Sequence, residues 1–590
     1  MKLEALPSYD ALSYTWGDDQ FDDPGQSTDF NSRFLRAMFP VQHFVRCNTK
    51  LIPVSTNLYN ALRRLREQPS INYIWIDYLC IDQSSIPERN EQILNMRHIY
   101  SNARMVLIWL GEEDDMTSIA FTMIKKLSQL DFTAQEYHAH TSDIYDPDAM
   151  LALGLPSLPS VEWECLHKLF ERRWFQRAWI IQEVALASIG VTICGSKWIN
   201  WNNIGSAAQY LVITGYFRAL QYVYGREGRP AFAASIQNRR AGVKLEQDQD
   251  LTVLLTSIRR FKATDPRDKI FSLLGIAKAK TGDVDQYAIQ ADYSDEVAEV
   301  FRSVTSIVVR KDSSLALLST VEDATLTKTQ GLPSWVPDYS IWQEATILGM
   351  PQNPHNYHAA GNTPVNVHES APELLVLDAL HVDTIKDIAP YIDLYARHIS
   401  WLSLLSWLRL GSTLPETYVN GETNYDAMWR TFIGNFGGAT NPAHVDYRKH
   451  FTTLLRFLLD GEGVDTGDSS GDRKEDVGVP MSKGLEQLMR DLTAEHHERD
   501  GNGDLYSVAF HYIAGLRRFF VTHKGYMGLG PRSMQPGDEV FIFSGADVPF
   551  VLRKSVLEEH RLVGEAYVHG IMDGEVLNDT SLSFSKVCIR

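Results

Sequence analysis

The length and composition of the chain are those of a globular protein with several domains. It has 590 residues, of which 44% are hydrophobic and 22% charged, and this composition excludes a largely disordered chain. At roughly 150 residues per domain, the length predicts about two to four domains. Lys and Arg total 56 against 74 Asp and Glu, a net charge of −18. So acidic a surface disfavours sequence-general binding to nucleic acid or anionic lipid.

Cysteine usage and hydropathy predict the compartment. The five cysteines include no CxxC pair, so neither a disulfide framework nor a zinc ribbon is predicted. The N-terminus lacks the charged-then-apolar pattern of a signal peptide. The apolar stretch at 401–410 is too short to cross a bilayer and carries an arginine. We therefore expect a cytoplasmic protein without a membrane span.

The first 200 residues alternate apolar runs with helical patterns. Four apolar runs are expected to form strands: 9–14, 73–81, 105–110 and 191–194. Ser55 and Ser85 are predicted to cap two helices between them, and a long helix is predicted over 163–187. Strands that are apolar throughout and separated by amphipathic helices indicate a parallel sheet covered on both faces. The sequence therefore predicts a doubly wound α/β domain over 1–200, interrupted by an acidic insertion at 112–160.

The remaining segments lack this alternation. Residues 20–54 are rich in Asp, Phe, Pro and Ser and are predicted to form a loop. From 201 to 510 the periodicity is chiefly helical, with acidic Gly/Asp-rich loops expected at 461–504. Within that region, residues 265–269 precede a helical stretch and are expected to cap it. Short strands separated by turns follow at 511–590 and predict a small antiparallel β module.

Three sequence blocks resemble those of a known family. YDALSYTWGDD, WIDYLCIDQSSIPERN and RRWFQRAWIIQEVALA closely resemble the blocks of the fungal heterokaryon-incompatibility (HET) domain, over about residues 9–190. DPRDKIFSLLG at 265–275 and LPSWVPD at 332–338 look like the C-terminal region common in such proteins. The resemblance implies a role in fungal non-self recognition and programmed cell death. It also implies association with an incompatibility partner protein or in a homo-oligomer.

A more distant resemblance bears on chemistry. The HET domain is similar to TIR domains, whose parallel sheet follows the flavodoxin-like plan. TIR enzymes that cleave NAD carry a glutamate four residues after a tryptophan, and Glu183 follows Trp179 by that interval here. The resemblance implies that Glu183 is the catalytic carboxylate of a metal-free NAD glycohydrolase and that Trp179 lies beside the substrate. NAD would then be a substrate, and no cofactor would be required.

The predicted topology indicates where a ligand would bind. An open doubly wound sheet binds ligands at the carboxyl ends of its strands, between the first and third strands of a flavodoxin-like order. The end of the first strand supplies the candidates Tyr14, Trp16, Gly17 and Asp18. The third strand ends at Gly111, and glycines let a ligand approach the backbone closely. The alternative is that both segments are ordinary turns after strands.

Each charged candidate also has a structural alternative. Glu183 is suited to stabilising the ribosyl cation formed when NAD is cleaved, but it is equally able to pair with Arg173 or Arg177. Arginines suit the pyrophosphate of a dinucleotide, and the candidates for that role are Arg89, Arg173 and Arg177. Such arginines are otherwise a solvated face or partners of the acidic insertion. Asp77, within the second apolar run, is expected to receive backbone N–H groups.

Two functions from different classes therefore remain open for the N-terminal domain. In the first, it is an NAD glycohydrolase that acts through Glu183. In the second, it is a non-enzymatic signalling module that acts by self-association or by binding a partner protein. Either function is compatible with the cell-death role that the HET resemblance implies.

Overall fold

The computed structural model describes most of the chain, which divides into two units. The described residues are 7–16, 43–130, 143–225, 229–245, 250–277, 289–341, 346–350, 356–391, 401–437, 440–459, 501–555 and 559–590. The two compact units are Met1–Val300 and Phe301–Arg590. The acidic loops predicted at 461–504 lie outside the described residues as far as residue 500.

The first unit is built on a parallel sheet. Its described strands are β1 (Asp10–Ser13), β2 (His43–Cys47), β3 (Lys50–Val54), β4 (Ile74–Trp75), β5 (Val106–Trp109), β6 (Gly190–Cys194) and β7 (Lys197–Asn200). Across the described residues, the main sheet has the order β4-β1-β5-β6-β7. Strand β7 is antiparallel to β6, and the other neighbours are parallel. The second, first, third and fourth parallel strands thus lie side by side, which is the flavodoxin-like order that was predicted.

Helices surround this sheet and continue beyond it. Those in the described residues are α1 (Thr56–Arg66), α2 (Asp77–Cys80), α3 (Ile86–Asn102), α4 (Thr117–Leu127), α5 (Pro147–Ala152), α6 (Val161–Phe170), α7 (Ile180–Ala185), α8 (Trp201–Ile213), α9 (Tyr216–Tyr224), α10 (Pro230–Lys244), α11 (Leu251–Ile258), α12 (Asp268–Phe271) and α13 (Val297–Lys311), which crosses the boundary between the units. Ser55 and Ser85 cap α1 and α3, as predicted. Every residue of β1 and β5 is buried, as expected for strands covered on both faces.

Part of the segment predicted as loop forms a hairpin instead. Strand β2 pairs antiparallel with β3, and Asn48 in the turn between them has a φ of 55°. Asparagine tolerates this left-handed conformation better than most residues do. The loop prediction was therefore wrong for 43–54, because turn chemistry and cross-strand pairing form the hairpin despite the polar composition. Residues 17–42 lie outside the described residues.

The strand predicted at 73–81 is much shorter in the structure. Only Ile74–Trp75 is extended and paired, and Asp77 begins the short helix α2. The carboxylate of Asp77 accepts a hydrogen bond from the N–H of Tyr78 at 2.7 Å. This local bond gives the backbone an alternative to sheet pairing, so the apolar run turns into a helix before it completes a strand.

The long helix predicted over 163–187 is broken into three pieces. Helix α6 is followed by a 3₁₀ turn at Arg173–Gln176 and then by α7. The break occurs because the backbone on either side of Arg177 pairs with Lys262 rather than with its own helix. A contact distant in sequence thus overrides the helical periodicity.

The second unit contains a barrel-like sheet. Its described strands are β8 (Val367–His368), β9 (Leu375–Tyr391), β10 (Arg517–Thr522), β11 (Met527–Pro531), β12 (Glu539–Phe543), β13 (Phe550–Lys554), β14 (His560–Glu565), β15 (Tyr567–Val568) and β16 (Ser585–Ile589), and its helices are α14 (Trp401–Gly411), α15 (Asn424–Phe432), α16 (Tyr447–Leu459) and α17 (Gly503–Ala514). Strands β12, β13, β14, β16 and β9 are neighbours in that order, and β9 also pairs with β12. The ring therefore closes, which leaves no open edge in it. The predicted β-rich module is confirmed.

The longest described strand lies inside the region predicted to be mainly helical. Strand β9 pairs in turn with β16, β12 and β10 along its length. Its first half alternates buried and partly exposed positions, with Leu375, Leu377 and Ala379 buried. This period of two is the pattern of a strand with one covered face. Both β9 and the C-terminal strands are thus needed to close the ring.

A buried amide ties the first helix to the sheet and gives a stability prediction. The side-chain oxygen of Asn57 accepts a hydrogen bond from the indole of Trp109 at 2.7 Å, and its nitrogen donates to the carbonyl of Thr15 at 2.8 Å. Replacement of Asn57 by Ala leaves the buried indole N–H without an acceptor. We expect a loss of about 1–3 kcal/mol in unfolding free energy, measured by denaturant unfolding. The exposed Asn102→Ala is the control, and an equal loss in both variants would contradict the assignment.

Candidate functional site

Polar side chains are buried together at the carboxyl end of β1. Ser13 is the last residue of that strand, and its hydroxyl donates a hydrogen bond to the carboxylate of Glu183. The indole N–H of Trp174 donates in turn to the Ser13 oxygen at 2.9 Å. The side chain of Glu183 is only 2% exposed. Its carboxylate therefore faces the end of the strand rather than bulk solvent.

Burial controls the proton affinity of Glu183. Loss of hydration raises the pKa of its carboxyl group above the ordinary value, and the nearby charge of Asp77 adds to this. The guanidinium of Arg177 and the hydrogen bond from Ser13 act in the opposite direction. A nitrogen of Arg177 lies 3.7 Å from a Glu183 oxygen. The pairing with Arg177 that the sequence left open is therefore present, within a setting that still raises the pKa of Glu183.

Asp77 supplies a second carboxylate next to Glu183. The indole of Trp16 donates to it at 2.8 Å, and the hydroxyl of Tyr14 also hydrogen-bonds it. Desolvation raises the pKa of Asp77, while the charge of Arg177 lowers it. Asp77 does accept the backbone N–H of Tyr78, as expected from its sequence position. It also accepts the Trp16 indole and feels the charge of Arg177, which makes it more than a backbone acceptor.

The side chains around Glu183 form one group in which carboxylates outnumber cations. We call it the Glu183 cluster, and it consists of Ser13, Tyr14, Trp16, Asp77, Tyr100, Trp174, Arg177 and Glu183. Burial, together with the nearby carboxylates, raises the pKa values of Tyr14 and Tyr100 well above the ordinary range, so both phenols stay neutral. Arg177 is thus the one cation in the cluster and faces two carboxylates.

One nitrogen of this guanidinium is unused. Nη1 of Arg177 is buried and has no hydrogen-bond partner within the part of the chain that the structure describes. Buried polar groups are nearly always paired in folded proteins. Because a guanidinium presents its donors in a fixed plane, Nη1 is suited to an acceptor atom of a ligand, such as a phosphate or hydroxyl oxygen.

The end of the third parallel strand is organised as a separate turn. Gly111 has a φ of 104°, a conformation that favours glycine. Its carbonyl accepts a hydrogen bond from the N–H of Gly195 at 2.9 Å. This geometry matches the alternative of an ordinary turn after a strand, and the ligand-binding role of Gly111 stays a prediction. Gly17 and Asp18 lie outside the described residues.

The other sequence candidates have partners elsewhere. The indole of Trp179 hydrogen-bonds the carboxylate of Asp268, and the guanidinium of Arg89 lies 3.7 Å from the ring centroid of Tyr293. Burial, followed by the charge of Asp265, raises the pKa of Asp268 to about 6. Arg173 is half-buried in the 3₁₀ turn before α7. Trp179 and Arg89 thus belong to a second polar group around Asp268, and phosphate binding by the arginines stays a prediction.

Sequence reasoning missed three members of the Glu183 cluster: Ser13, Tyr100 and Trp174. Tyr100 and Trp174 are buried within apolar patterns, and nothing in such a pattern distinguishes them from core residues. Ser13 carried a usable signal, because it is a polar residue at the carboxyl end of the strand beside the switch point.

Metal-binding clusters and membrane-spanning helices are absent from the part of the chain that the structure describes. No group of three or more His, Cys, Asp or Glu side chains there is placed to hold a metal ion. Likewise, no helix among those described is long and apolar enough to cross a membrane.

Comparisons with known proteins match both units. The sequence model of the family described as heterokaryon incompatibility protein (HET) matches residues 9–183, and that of the Het-6 beta-barrel domain matches residues 420–582. Heterokaryon incompatibility protein 6, OR allele, of Neurospora crassa is 26% identical over 647 aligned residues, which cover 98% of this chain and 90% of the relative. No solved structure matches the chain.

The raised pKa of Glu183 predicts how its replacement affects stability. Between the ordinary and the raised pKa, the folded protein binds more protons than the unfolded chain, so ionisation of Glu183 with rising pH costs stability. Glu183→Gln cannot ionise. We therefore expect its melting temperature, relative to wild type, to increase as the pH rises from the ordinary glutamate pKa through the raised pKa of Glu183. Thermal unfolding across this range is the measurement.

A matched control isolates the effect of burial on that titration. Glu91 is an exposed glutamate on α3, and Glu91→Gln should keep a nearly constant difference from wild type across the same range. A Glu183→Gln difference that stays flat or decreases as the pH rises would show that the burial of this carboxylate does not raise its pKa.

Proposed function

This chain is a heterokaryon-incompatibility (HET) domain protein, and we propose that its N-terminal domain acts by binding and hydrolysing NAD at the Glu183 cluster. The observation that supports this most is the charge arrangement at the carboxyl end of β1. The guanidinium of Arg177 pairs with Glu183 and its charge also acts on Asp77, and one nitrogen of that guanidinium is unpaired within the described residues. Buried groups with perturbed proton affinity are concentrated at functional sites.

The position of the cluster supports a nucleotide ligand. In open α/β sheets of this order, ligands bind where the first and third parallel strands diverge, and Ser13 ends the first of them. Trp16 and Arg177 are half-buried; Arg177 lies beside the buried Glu183, and Trp16 bonds Asp77. An indole offers a stacking surface for a base, and a guanidinium suits phosphate oxygens. The cluster therefore combines the contacts that a dinucleotide requires.

The proposed reaction needs only one carboxylate. Hydrolysis breaks the bond between ribose C1′ and the nicotinamide nitrogen, and the bonding electron pair leaves with nicotinamide, which becomes neutral. Water then forms the new bond to C1′ and releases a proton. The transition state carries positive charge on the ribose, and an ionised Glu183 at hydrogen-bonding distance would stabilise it electrostatically. No general acid is required, because the leaving group departs uncharged.

The hydrogen bond from Ser13 would orient Glu183 for this role. Its hydroxyl is fixed in turn by the indole of Trp174, so one carboxylate oxygen is held while the other faces Arg177. A carboxylate that is already oriented loses little freedom as the cation develops, which is the condition for electrostatic preorganisation.

Consumption of NAD tests the proposal. We expect the purified full-length protein, or an oligomer of it formed by a fused dimerisation tag, to release nicotinamide and ADP-ribose. Glu183→Gln should lower the rate by about 10²-fold or more, while the exposed Glu91→Gln should match wild type. Because the pKa of Glu183 is raised and its ionised form is the active one, the rate should increase with pH through a value above that of an ordinary glutamate.

Two outcomes would contradict the enzyme proposal. Equal NAD consumption by wild type and a folded Glu183→Gln would place the activity elsewhere. Cell death caused equally by wild type and Glu183→Gln, with NAD levels unchanged in the cells, would favour a non-enzymatic module that acts by self-association or by partner binding.

A further inference from the structure

The helix that carries Glu183 is too short to hold itself in place. Helix α7 has six residues, and helices of that length are not stable without tertiary contacts. The HET family match ends at residue 183. Besides the packing of α3 within that match, both ends of α7 are contacted by residues beyond it, within the same unit of the structure.

The C-terminal end of α7 is held by one buried arginine. Arg240 of α10 is 2% exposed, and its guanidinium donates to the carbonyls of Val184 at 2.8 Å and Ser188 at 2.9 Å, and also to that of Ala187. The last carbonyls of a helix lack partners of their own and carry partial negative charge. Arg240 therefore satisfies the end of the helix directly after Glu183.

The backbone around Arg177 is held by residue Lys262. The N–H of Lys262 donates to the carbonyl of Gln176, and the N–H of Ala178 donates to the Lys262 carbonyl at 2.8 Å. These two bonds flank Arg177 and fix the extended residue between the 3₁₀ turn and α7. The ammonium of Lys269 donates to the carbonyls of Arg259 at 3.1 Å and of Phe261, which secures the turn that leads into Lys262.

The N-terminal end of α7 is held through a side chain. Asp268 accepts hydrogen bonds from the indole of Trp179 and from the hydroxyl of Tyr293, the latter at 2.5 Å. Trp179 immediately precedes α7 and lies one turn before Glu183. The expectation that 265–269 cap their own helix holds for Asp265, whose carboxylate accepts the backbone N–H of Arg267 at 3.0 Å just before α12, although the N-cap residue Arg267 makes no side-chain bond of its own. Asp268 reaches back to Trp179.

A fourth contact comes from Gly275, which follows α12 in the chain. A Cβ atom added at Gly275 would lie 1.9 Å from the side-chain amide of Gln182. The backbone of Gly275 therefore packs directly against the middle of α7. Only a residue without a side chain permits this approach without a shift of Gln182.

We infer that four residues, Arg240, Lys262, Asp268 and Gly275, form a collar that positions Glu183 and Arg177, so that segment 9–183 is completed as a site by the chain that follows it. Arg240 and Asp268 act through α7 and are positioning residues. The part of this inference that concerns turnover rests on the proposed NAD hydrolysis.

Local amide exchange in the full-length protein tests the collar directly. Arg240→Met and Asp268→Ala should increase hydrogen–deuterium exchange in 177–188 by about tenfold or more, since local opening there becomes easier, while exchange in β5 stays as in wild type. Asp268→Asn retains an acceptor for the Trp179 indole and should restore most of the protection. The exposed Arg63→Met is the matched control and should change neither segment.

Turnover provides the second readout. In an active protein, Asp268→Ala should lower kcat by about 10²-fold through misplacement of Glu183, with little change in KM, and Asp268→Asn should recover most of it. Unchanged amide exchange in 177–188 of these variants would contradict the positioning role of the collar. An equal increase of exchange in β5 would also contradict it, because it would indicate general destabilisation. If wild type consumes no NAD, the proposed function fails, while the exchange result still decides the positioning role. If Arg240→Met does not fold, the two Asp268 variants decide it.

Discussion

The placement of the buried Glu183 carboxylate and the half-buried Asp77 carboxylate near one guanidinium is the constraint on which the first unit depends. Glu183 and Asp77 both lose hydration, and Arg177 is the only cation that the cluster offers them. Buried charges persist only where surrounding structure holds their partners in place. The end of β1, the helical turn at Asp77 and the break before α7 each contribute one part of that arrangement. Desolvation of these carboxylates thus costs folding free energy at the carboxyl end of β1, which is where the order of the strands favours ligand binding.

Such a cost is informative because apolar side chains at the same positions could have formed an ordinary core. A buried carboxylate with a raised proton affinity weakens the folded state near neutral pH, and an apolar side chain of similar size would avoid this. Natural proteins retain such groups chiefly where they serve binding or catalysis. Tyr14, Trp16 and Trp174 surround the charges with aromatic side chains, which lowers the local dielectric and strengthens each remaining interaction.

The sequence predicted the parts of this structure that depend on local pattern. Continuous apolar runs identified the buried parallel strands, and the caps at Ser55 and Ser85 located two helices. Glu183 was found through the resemblance to NAD-cleaving TIR domains, and the sheet order then located its neighbourhood. The break before α7 could not be predicted, since it depends on backbone bonds to Lys262, more than eighty residues further along the chain. Ser13 was missed although its place at the end of the first strand was a usable signal, because its partners Trp174 and Glu183 lie more than 150 residues further along the chain.

The second unit shows the same limit in another form. Strand β9 lies far from the other strands of the barrel in sequence, and its period of two is surrounded by helical segments. Its role in the ring becomes clear only from its pairing with both β16 and β12. The matched barrel segment, 420–582, contains neither β9 nor β16. The closed ring therefore extends beyond the segment that sequence comparison identifies.

Binding of NAD to a protein that cannot cleave it tests most directly whether the Glu183 cluster is a nucleotide site. Calorimetric titration of full-length Glu183→Gln with NAD should show one site per chain. The double variant Glu183→Gln/Arg177→Met should lose about tenfold or more in affinity, because a charge-assisted contact to the ligand is removed. Equal affinities in the two variants, or no binding to either as monomer or induced oligomer, would show that the buried charges serve the fold alone.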